Sequence, residues 1–563
     1  MIPVQKKLTA VQRFNRLLQL DKEDITQVYI YALFNGLVNL SLPLGLQAII
    51  NLIQGGEINS SWMILVAFVI GGIALTGYLQ LLQLRIVENI AQKIFSRASF
   101  EFAYRIPRIT HSAFENYYAP ELTNRFFDTM TIQKGLPKIL IDFSLALFQI
   151  VIGLIVLSLY HTFFIIFSIF LIALIYLIMA VTGPKGLKTS IKESSSKYKI
   201  AFWLEEIART KMSFKLISET DFDLSQSNEK VNQYLTYREN HFKVLLNQFS
   251  YLIGFKVIVA AGLLITGSIL VFNQEMNIGQ FVAAEIIIIL IIASVEKLIK
   301  SLDSIYDVLT ALEKIGHVLD MPLDQDDGLE FKNEQESFSI SADNLYYKFP
   351  NDNTNTINGL NLHVPAGQSV VIQGPSGAGK STLLQLLSGV LQPDSGIIKY
   401  KDFPLQSLNM SKLRKHIGFS LSHHDIFQGT VLDNIKMGRD VSARQITDAI
   451  QTTHLDEFLS TMPLGFQTIL DPEGRKLPRS IQDKIKLARA IVNEPRLLIL
   501  EDPLTNISSD QKHIIIRDLI APDKRWSIII TSVNSIWNEY ITDSIFIEKG
   551  KVIYSSFESE NHA

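Results

Sequence analysis

Six long apolar runs before residue 300 restrict this chain more than any other feature: Thr26–Ile53, Ser61–Leu84, Ile139–Tyr160, Phe163–Val181, Ser250–Phe272 and Ile278–Val295. About 20 helical residues cross the roughly 30 Å hydrocarbon core of a bilayer, so each run has the length of a membrane span. One such run would match a buried soluble helix equally well. Six in succession do not.

The connections supply an independent check. The short ones, QGGEINS, the His161-Thr162 turn and NQEMN, contain neither Lys nor Arg. The long ones, Arg85–Lys138 and Thr182–Gln248, are rich in both, as are the N-terminal segment and the stretch after Val295. The positive-inside rule therefore puts the short turns outside and the long loops in the cytoplasm, and an even number of spans returns the C-terminal half there. Helical spacing in LQLRIVENIAQKIFSRASFEFAYRIP carries the membrane helices beyond the bilayer. Breaks are expected near Tyr117–Pro120, within Tyr117–Asn124, and in Trp203–Lys211. Three charges fall inside the spans: Asp142 near an interface, and Lys256 and Glu285 deeper, where they pair or line a cavity.

Composition agrees. Hydrophobic residues make up 47% of the 563 and charged residues 19%, with the apolar excess in the first half. A net charge of -3 lacks the concentrated basic face of a nucleic-acid binder. The absence of cysteine excludes disulfides, thiolate metal sites and a cysteine nucleophile. The start, MIPVQKKLTAVQRFNRLLQLDKED, is polar and basic, unlike a cleavable signal peptide.

After Met321 the acidic stretch PLDQDDGLEFKNEQES reads as a linker, and β-rich runs then alternate with helical ones, as in an α/β domain. Gly374, Pro375, Ser376, Gly377, Ala378, Gly379, Lys380, Ser381 and Thr382 follow the P-loop pattern G-x-x-x-x-G-K-[ST]. The buried-strand pattern of SVVIQ enters the loop and the helical STLLQLLSGV leaves it. Such a loop turns backbone N–H groups toward phosphates at a helix N-terminus. Lys380 brings a cation to the terminal phosphates of ATP and the Ser381 hydroxyl a ligand for Mg²⁺. The competing reading, a chance glycine turn before a helix, does not account for strand, loop and helix together.

From the P-loop onward the chain resembles the ABC transporters. LLQLLSGVLQPDSGIIKY, LRKHIGF, PLGFQTIL and IKLARAIVNEPRLLIL follow that family's order and spacing, while NIGQFVAAEIIIIL and LEKIGHVLDMP are similar to the last membrane helix and linker of its bacterial protein- and peptide-exporting members. Those members often carry an N-terminal cysteine peptidase domain; the two dozen residues before the first span are too short for one, so that activity is expected to be absent.

The resemblance implies site residues, and several depart from the pattern. The adenine-stacking aromatic falls on Phe349. The glutamine that senses Mg²⁺ falls on Ser422, too short for the part, with His423 and His424 as neighbours of little weight. The signature LSGGQ reads Leu477-Pro-Arg-Ser-Ile481: Pro478 offers neither hydroxyl nor N–H, and Arg479 stands where a glycine permits close approach, so the grip on a partner's γ-phosphate is expected to be lost. The family's Asp-Glu pair after LLIL is Glu501 then Asp502. The register assigns Glu501 to Mg²⁺ and Asp502, as a weakened base, to the attacking water, each one methylene wrong in reach. The family's histidine after SIIIT is Ser532.

The expected architecture is multi-domain: a cytoplasmic segment 1–24, an all-α six-helix transmembrane domain 25–320, a linker 321–336 and an α/β P-loop ATP-binding domain 337–563. Resemblance implies a homo- or heterodimer with another half-transporter, in the cytoplasmic membrane, with a membrane-fusion adaptor among the partners. Two functions remain open: an exporter half with weakened hydrolysis, or a non-hydrolysing ATP-binding subunit that regulates or scaffolds a secretion complex. A soluble P-loop kinase fails on the six spans.

Overall fold

The computed structural model describes residues 8–54, 60–114, 117, 119–217, 219–324, 326–331, 337–350, 352–421, 426–532 and 535–557. The chain forms two compact units, Met1–Pro107 with Tyr117–Met321, and Arg108–Asn116 with Pro322–Ala563.

The first unit is helical. Among the described residues six segments are long and apolar enough to cross a membrane: Lys22–Gln54, Ser60–Arg108, Glu121–Ser158, Thr162–Arg209, Phe222–Phe272 and Ile278–Leu319. The fourth, at 48 residues, is about 72 Å long at 1.5 Å per residue. That is more than twice the bilayer core, so the helices do run on beyond the apolar stretches. Ile64, Phe68, Ile166, Ile169 and Ile265 point outward and are exposed, which is costly in water and ordinary in lipid. Inward, small residues let helices approach closely. A Cβ on Gly153 would stand 3.1 Å from Ile291, and one on Gly186 2.3 Å from the Tyr306 ring. Buried Gln248 is paired across helices, donating to Thr182 Oγ1 at 3.0 Å and Tyr306 Oη at 2.7 Å.

Prolines mark the irregularities. The first segment turns at Asn39 and Leu40, before a helix that starts at Ser41 and contains Pro43. Pro137, which has no N–H for the ladder, precedes a π-type stretch at Lys138–Phe143 that holds Asp142.

The structure locates one sequence expectation and corrects another. The break expected within Trp203–Lys211 falls at Thr210, since WLEEIAR stays helical through Arg209, helped by a 2.5 Å Arg209–Glu206 ion pair one turn apart. A short helix, Lys211–Leu216, follows. In the other region Tyr117 lies in a bend before the helix Ala119–Asn124, and Asn124 Nδ2 donates to Glu205 Oε1. Lys256 does not pair with Glu285. It binds Glu296, one residue past the expected end of the sixth span, and Lys300 binds the same carboxylate at 2.6 Å.

The described residues of the second unit form three sheets. β1 (Ile340–Tyr347), β2 (Ile357–Val364), β4 (Ser395–Tyr400) and β5 (Phe403–Pro404) form a four-stranded antiparallel sheet in the order β2-β1-β4-β5. β3 (Val370–Gln373), β6 (Ile417–Ser420), β9 (Leu497–Glu501), β10 (Ser527–Thr531), β11 (Ser544–Glu548) and β12 (Lys551–Ser555) form a six-stranded sheet in the order β12-β11-β3-β10-β9-β6. It is parallel except at β12. β7 (Gly429–Thr430) and β8 (Ile469–Leu470) make a short pair. β9 and β10 are buried apolar runs, LLIL and SIII, as expected of central parallel strands covered on both faces.

Parts of the expected linker are built into this unit. Leu323 bridges Ile109, Leu329 N donates to Ser407 O at 2.8 Å, and Phe331 packs against Phe338 with ring centroids 4.9 Å apart.

Candidate functional site

The P-loop leaves β3 and enters the helix Lys380–Leu387, as its sequence predicts. Three glycines in it have positive φ: Gly374 at 148°, Gly377 at 80° and Gly379 at 96°. Two also need their lack of a side chain for space. A Cβ on Gly374 would stand 2.0 Å from Ile547 O, and one on Gly379 2.9 Å from Thr356 O, whereas at Gly377 nothing lies within 4 Å. Ala378 is buried, its carbonyl accepting from Gly550 N at 3.1 Å, so β11–β12 braces the loop from behind. Pro375, Ser376 and Gly377 are exposed at the crest, as is Ser381 on the first turn of the helix, while Thr382 is buried beneath. Lys380 Nζ folds back over the loop and donates to Gly374 O at 2.7 Å and Pro375 O at 2.9 Å.

Sheet order brings the remaining carboxylates to the same edge. β10 lies between β3 and β9, with Thr531 in register with Ile372 on one side and Glu501 on the other. The carboxyl ends of the three strands therefore carry the P-loop, Ser532, and Glu501 with Asp502, at the edge where open parallel sheets bind ligands. Asp502 has φ 41°, and its N–H donates to Thr531 O at 2.9 Å. The left-handed region is tolerated by Asp better than by most residues, because its short side chain bonds locally. That backbone gives a physical reason for aspartate at this position. Thr505 Oγ1 closes the turn by donating to Asp502 O at 2.9 Å.

The signature segment keeps a helix start. Pro478 is the cap of the helix Arg479–Ile491, with φ -53° and ψ 141° and no side-chain capping bond. Its carbonyl accepts from Ile481 N at 3.0 Å and Gln482 N at 3.1 Å. Arg479 is exposed as the first helical residue. Phe349 is half-buried and meets Tyr347 edge-on, centroids 5.1 Å apart. Ser422, His423 and His424 lie outside the described residues.

Two features escape the sequence reading. Asp483, buried in the signature helix, accepts from Asn506 Nδ2 at 2.9 Å and pairs with Lys486 at 3.1 Å, which ties that helix to the loop after Asp502. A cavity of about 190 Å³ opens beside Asp502, lined also by Thr505, Lys512, Ser532 and Trp537. Neither Asn506 nor Lys512 belongs to a motif with local spacing, so only the folded chain brings them in.

Comparison with known proteins matches both units. Residues 27–295 match the ABC transporter transmembrane region and residues 357–505 the ABC transporter domain. The chain is similar to an ATP-dependent lipid A-core flippase of Legionella pneumophila, 29% identical over 298 residues, covering 51% of this chain and 49% of that one. It is also similar to the alpha-hemolysin translocation ATP-binding protein HlyB of Escherichia coli O157:H7, 27% identical over 302 residues, covering 53% and 43%. The chain thus spans about half the length of the curated relatives it matches. A solved bacterial Atm1-family ABC exporter with ATP bound has the same fold, with TM-score 0.79, 16% identity and 96% of each chain covered. The P-loop edge, the six apolar helices and these matches together place the protein among the ABC transporters, as a multi-pass membrane protein whose transmembrane region is fused to a cytoplasmic ATP-binding domain.

Proposed function

We propose that the chain is one half of an exporter that binds ATP at the P-loop and hydrolyses it slowly to move a substrate across the cytoplasmic membrane. The observation that carries this reading is the P-loop itself, whose glycines at 374 and 379 occupy space and φ that no side chain can share. Backbone N–H groups of Gly377–Lys380 would hold the phosphates at the helix N-terminus, with Lys380 leaving its two carbonyl partners to meet them. Phe349, two residues past the end of β1, would offer its ring to the adenine.

The donor set suits Mg²⁺, a hard cation that takes oxygen ligands: the exposed Ser381 hydroxyl and the Glu501 carboxylate stand at the ends of neighbouring structure on one sheet edge. When bound, the ion neutralises charge on the phosphate oxygens. Asp502 would orient the attacking water and take its proton. Its shorter reach forfeits part of the factor of about 10²–10⁴ that a positioned base provides.

The weakened half of the site supports a second reading, an ATP-binding subunit that does not hydrolyse. Pro478 caps its helix without a hydroxyl, and exposed Arg479 stands where a glycine would allow phosphate to approach the backbone. In a dimer whose ATP sits between one P-loop and the partner's signature, this chain contributes weakness to both sites.

ATP turnover by the purified chain in lipid, beside Lys380→Ala, separates the two. Turnover above the variant is expected and supports the exporter. Equal, background turnover, with ATP binding lost only in the variant, overturns it in favour of the sensing subunit.

A further inference from the structure

We propose that Lys512 reads the terminal phosphate of the bound nucleotide, so that this chain distinguishes a nucleoside triphosphate from a diphosphate through a lysine on the helix Ser509–Leu519. The inference rests on the P-loop binding ATP, as above, and goes beyond it by naming the group that senses the third phosphate.

The geometry comes from the sheet. The P-loop grows from β3, β10 is its neighbour, and the cavity of about 190 Å³ lies at the ends of β10 and β9. On this proposal a phosphate chain anchored over β3 extends along this edge toward the end of β10, the next strand in the sheet. There the wall consists of Ser532 and Asp502, with Thr505, Ile536 and Trp537 around them and Lys512 entering from the helix. The volume exceeds what one water fills, about 30 Å³ in the liquid.

Charge singles out the lysine. Asp502 contributes a carboxylate to the lining of this cavity, and two like charges close together destabilise each other. Ser532 adds no charge. Lys512 is the one cation among the described residues that line the cavity. No hydrogen bond or ion pair holds its Nζ among those residues. Its four-carbon stem lets a strongly hydrated point charge follow a phosphate that arrives. A diphosphate held by the same loop ends short of β10 and gains nothing from it.

A neutraliser of Asp502 and a phosphate sensor predict different measurements. The full chain in lipid nanodiscs with Mg²⁺ is titrated with a fluorescent nucleotide, displaced by ATP and separately by ADP. Wild type is expected to prefer ATP. In Lys512→Ala and Lys512→Gln the ATP affinity falls by about tenfold, the scale of one hydrogen bond to a charged group, while ADP affinity stays as it was. Lys512→Arg keeps most of the preference. An unchanged ratio in both neutral variants, an equal loss for ATP and ADP, or a wild type without preference overturns the role of Lys512 and leaves ATP binding standing. A wild type that binds neither nucleotide, indistinguishable from Lys380→Ala, overturns both.

Discussion

The P-loop and the signature helix, the two parts of the second unit proposed to face phosphate, differ in how their sequences meet the same physical demand. The P-loop keeps glycine wherever backbone or neighbour leaves no room: Gly374 faces Ile547 O and Gly379 faces Thr356 O. The signature helix starts instead with a proline cap and an exposed arginine, yet its thirteen residues fold and its Asp483 is anchored to Asn506. Fold and helix survive in both. Only the first retains a surface on which backbone N–H groups approach phosphate without a side chain between. The comparison supports the proposed separation of binding from turnover along the strand edge, because holding phosphate needs one loop and cleaving it needs several.

The largest expected effect breaks the stronger side. Lys380→Ala should lower ATP affinity by a hundredfold or more, in line with the roughly 2–5 kcal/mol lost when one partner of a buried charge pair is truncated. Nucleotide displacement on the full chain measures it, and near-wild-type affinity would remove the P-loop as the binding site.

The next separates two glycines within that loop. Gly374→Ala forces a Cβ to 2.0 Å from a carbonyl oxygen and should weaken binding and lower the unfolding temperature. Gly377→Ala meets no atom within 4 Å, so its cost is confined to left-handed backbone, about 1–2 kcal/mol. Thermal unfolding of both variants ranks them, and equal damage would contradict the geometry.

Rebuilding the weaker side sharpens the contrast. Glu501→Asp with Asp502→Glu, combined with Pro478→Ser, Arg479→Gly, Ser480→Gly and Ile481→Gln, should raise ATP turnover by about tenfold or more, within the range a well-placed base contributes. The gain should come with some loss of stability, since glutamate suits φ 41° less well than aspartate. No gain would place the defect elsewhere, Ser422 being the next position to change.

The smallest effect lies outside the site. The Thr430 side chain, and then its backbone N–H, holds the exposed Asp433 carboxylate below its ordinary range, in a capping box that starts the helix Val431–Lys436. A depressed carboxylate contributes stability above its unfolded value and loses it as pH falls through the folded one. Hydrogen exchange in that helix should therefore be faster in Asp433→Asn than in wild type at pH 7, with the difference closing in acid.

Much of this was legible in the residues. Mean apolarity over twenty positions identifies a span whatever its neighbours, and the bias of Lys and Arg between loops orients it. Glycine spacing identifies the P-loop, since its strand, turn and helix are adjacent in the chain. The register of the carboxylates follows from the four apolar residues before Glu501. The break in Trp203–Lys211 was legible as a stretch, and the good helix formers WLEEIAR push it to the end of that stretch, at Thr210.

Pairing was not legible. Lys256 has Glu285 and Glu296 within reach along the chain, and which one it meets depends on how the fifth helix is rotated against the sixth; the fold selects Glu296. Arg108–Asn116 sits within a loop of the membrane half in sequence but belongs to the second unit, where Thr110 N donates to Pro322 O at 3.0 Å. The sequence by itself thus determined the bilayer spans, their orientation and the phosphate loop, all set by short-range hydropathy, charge and backbone freedom. Tertiary structure alone decided that Asp502 turns left-handed beneath Thr531 O and that Lys512 enters the cavity beside it, because both depend on strands and a helix brought together from distant parts of the chain.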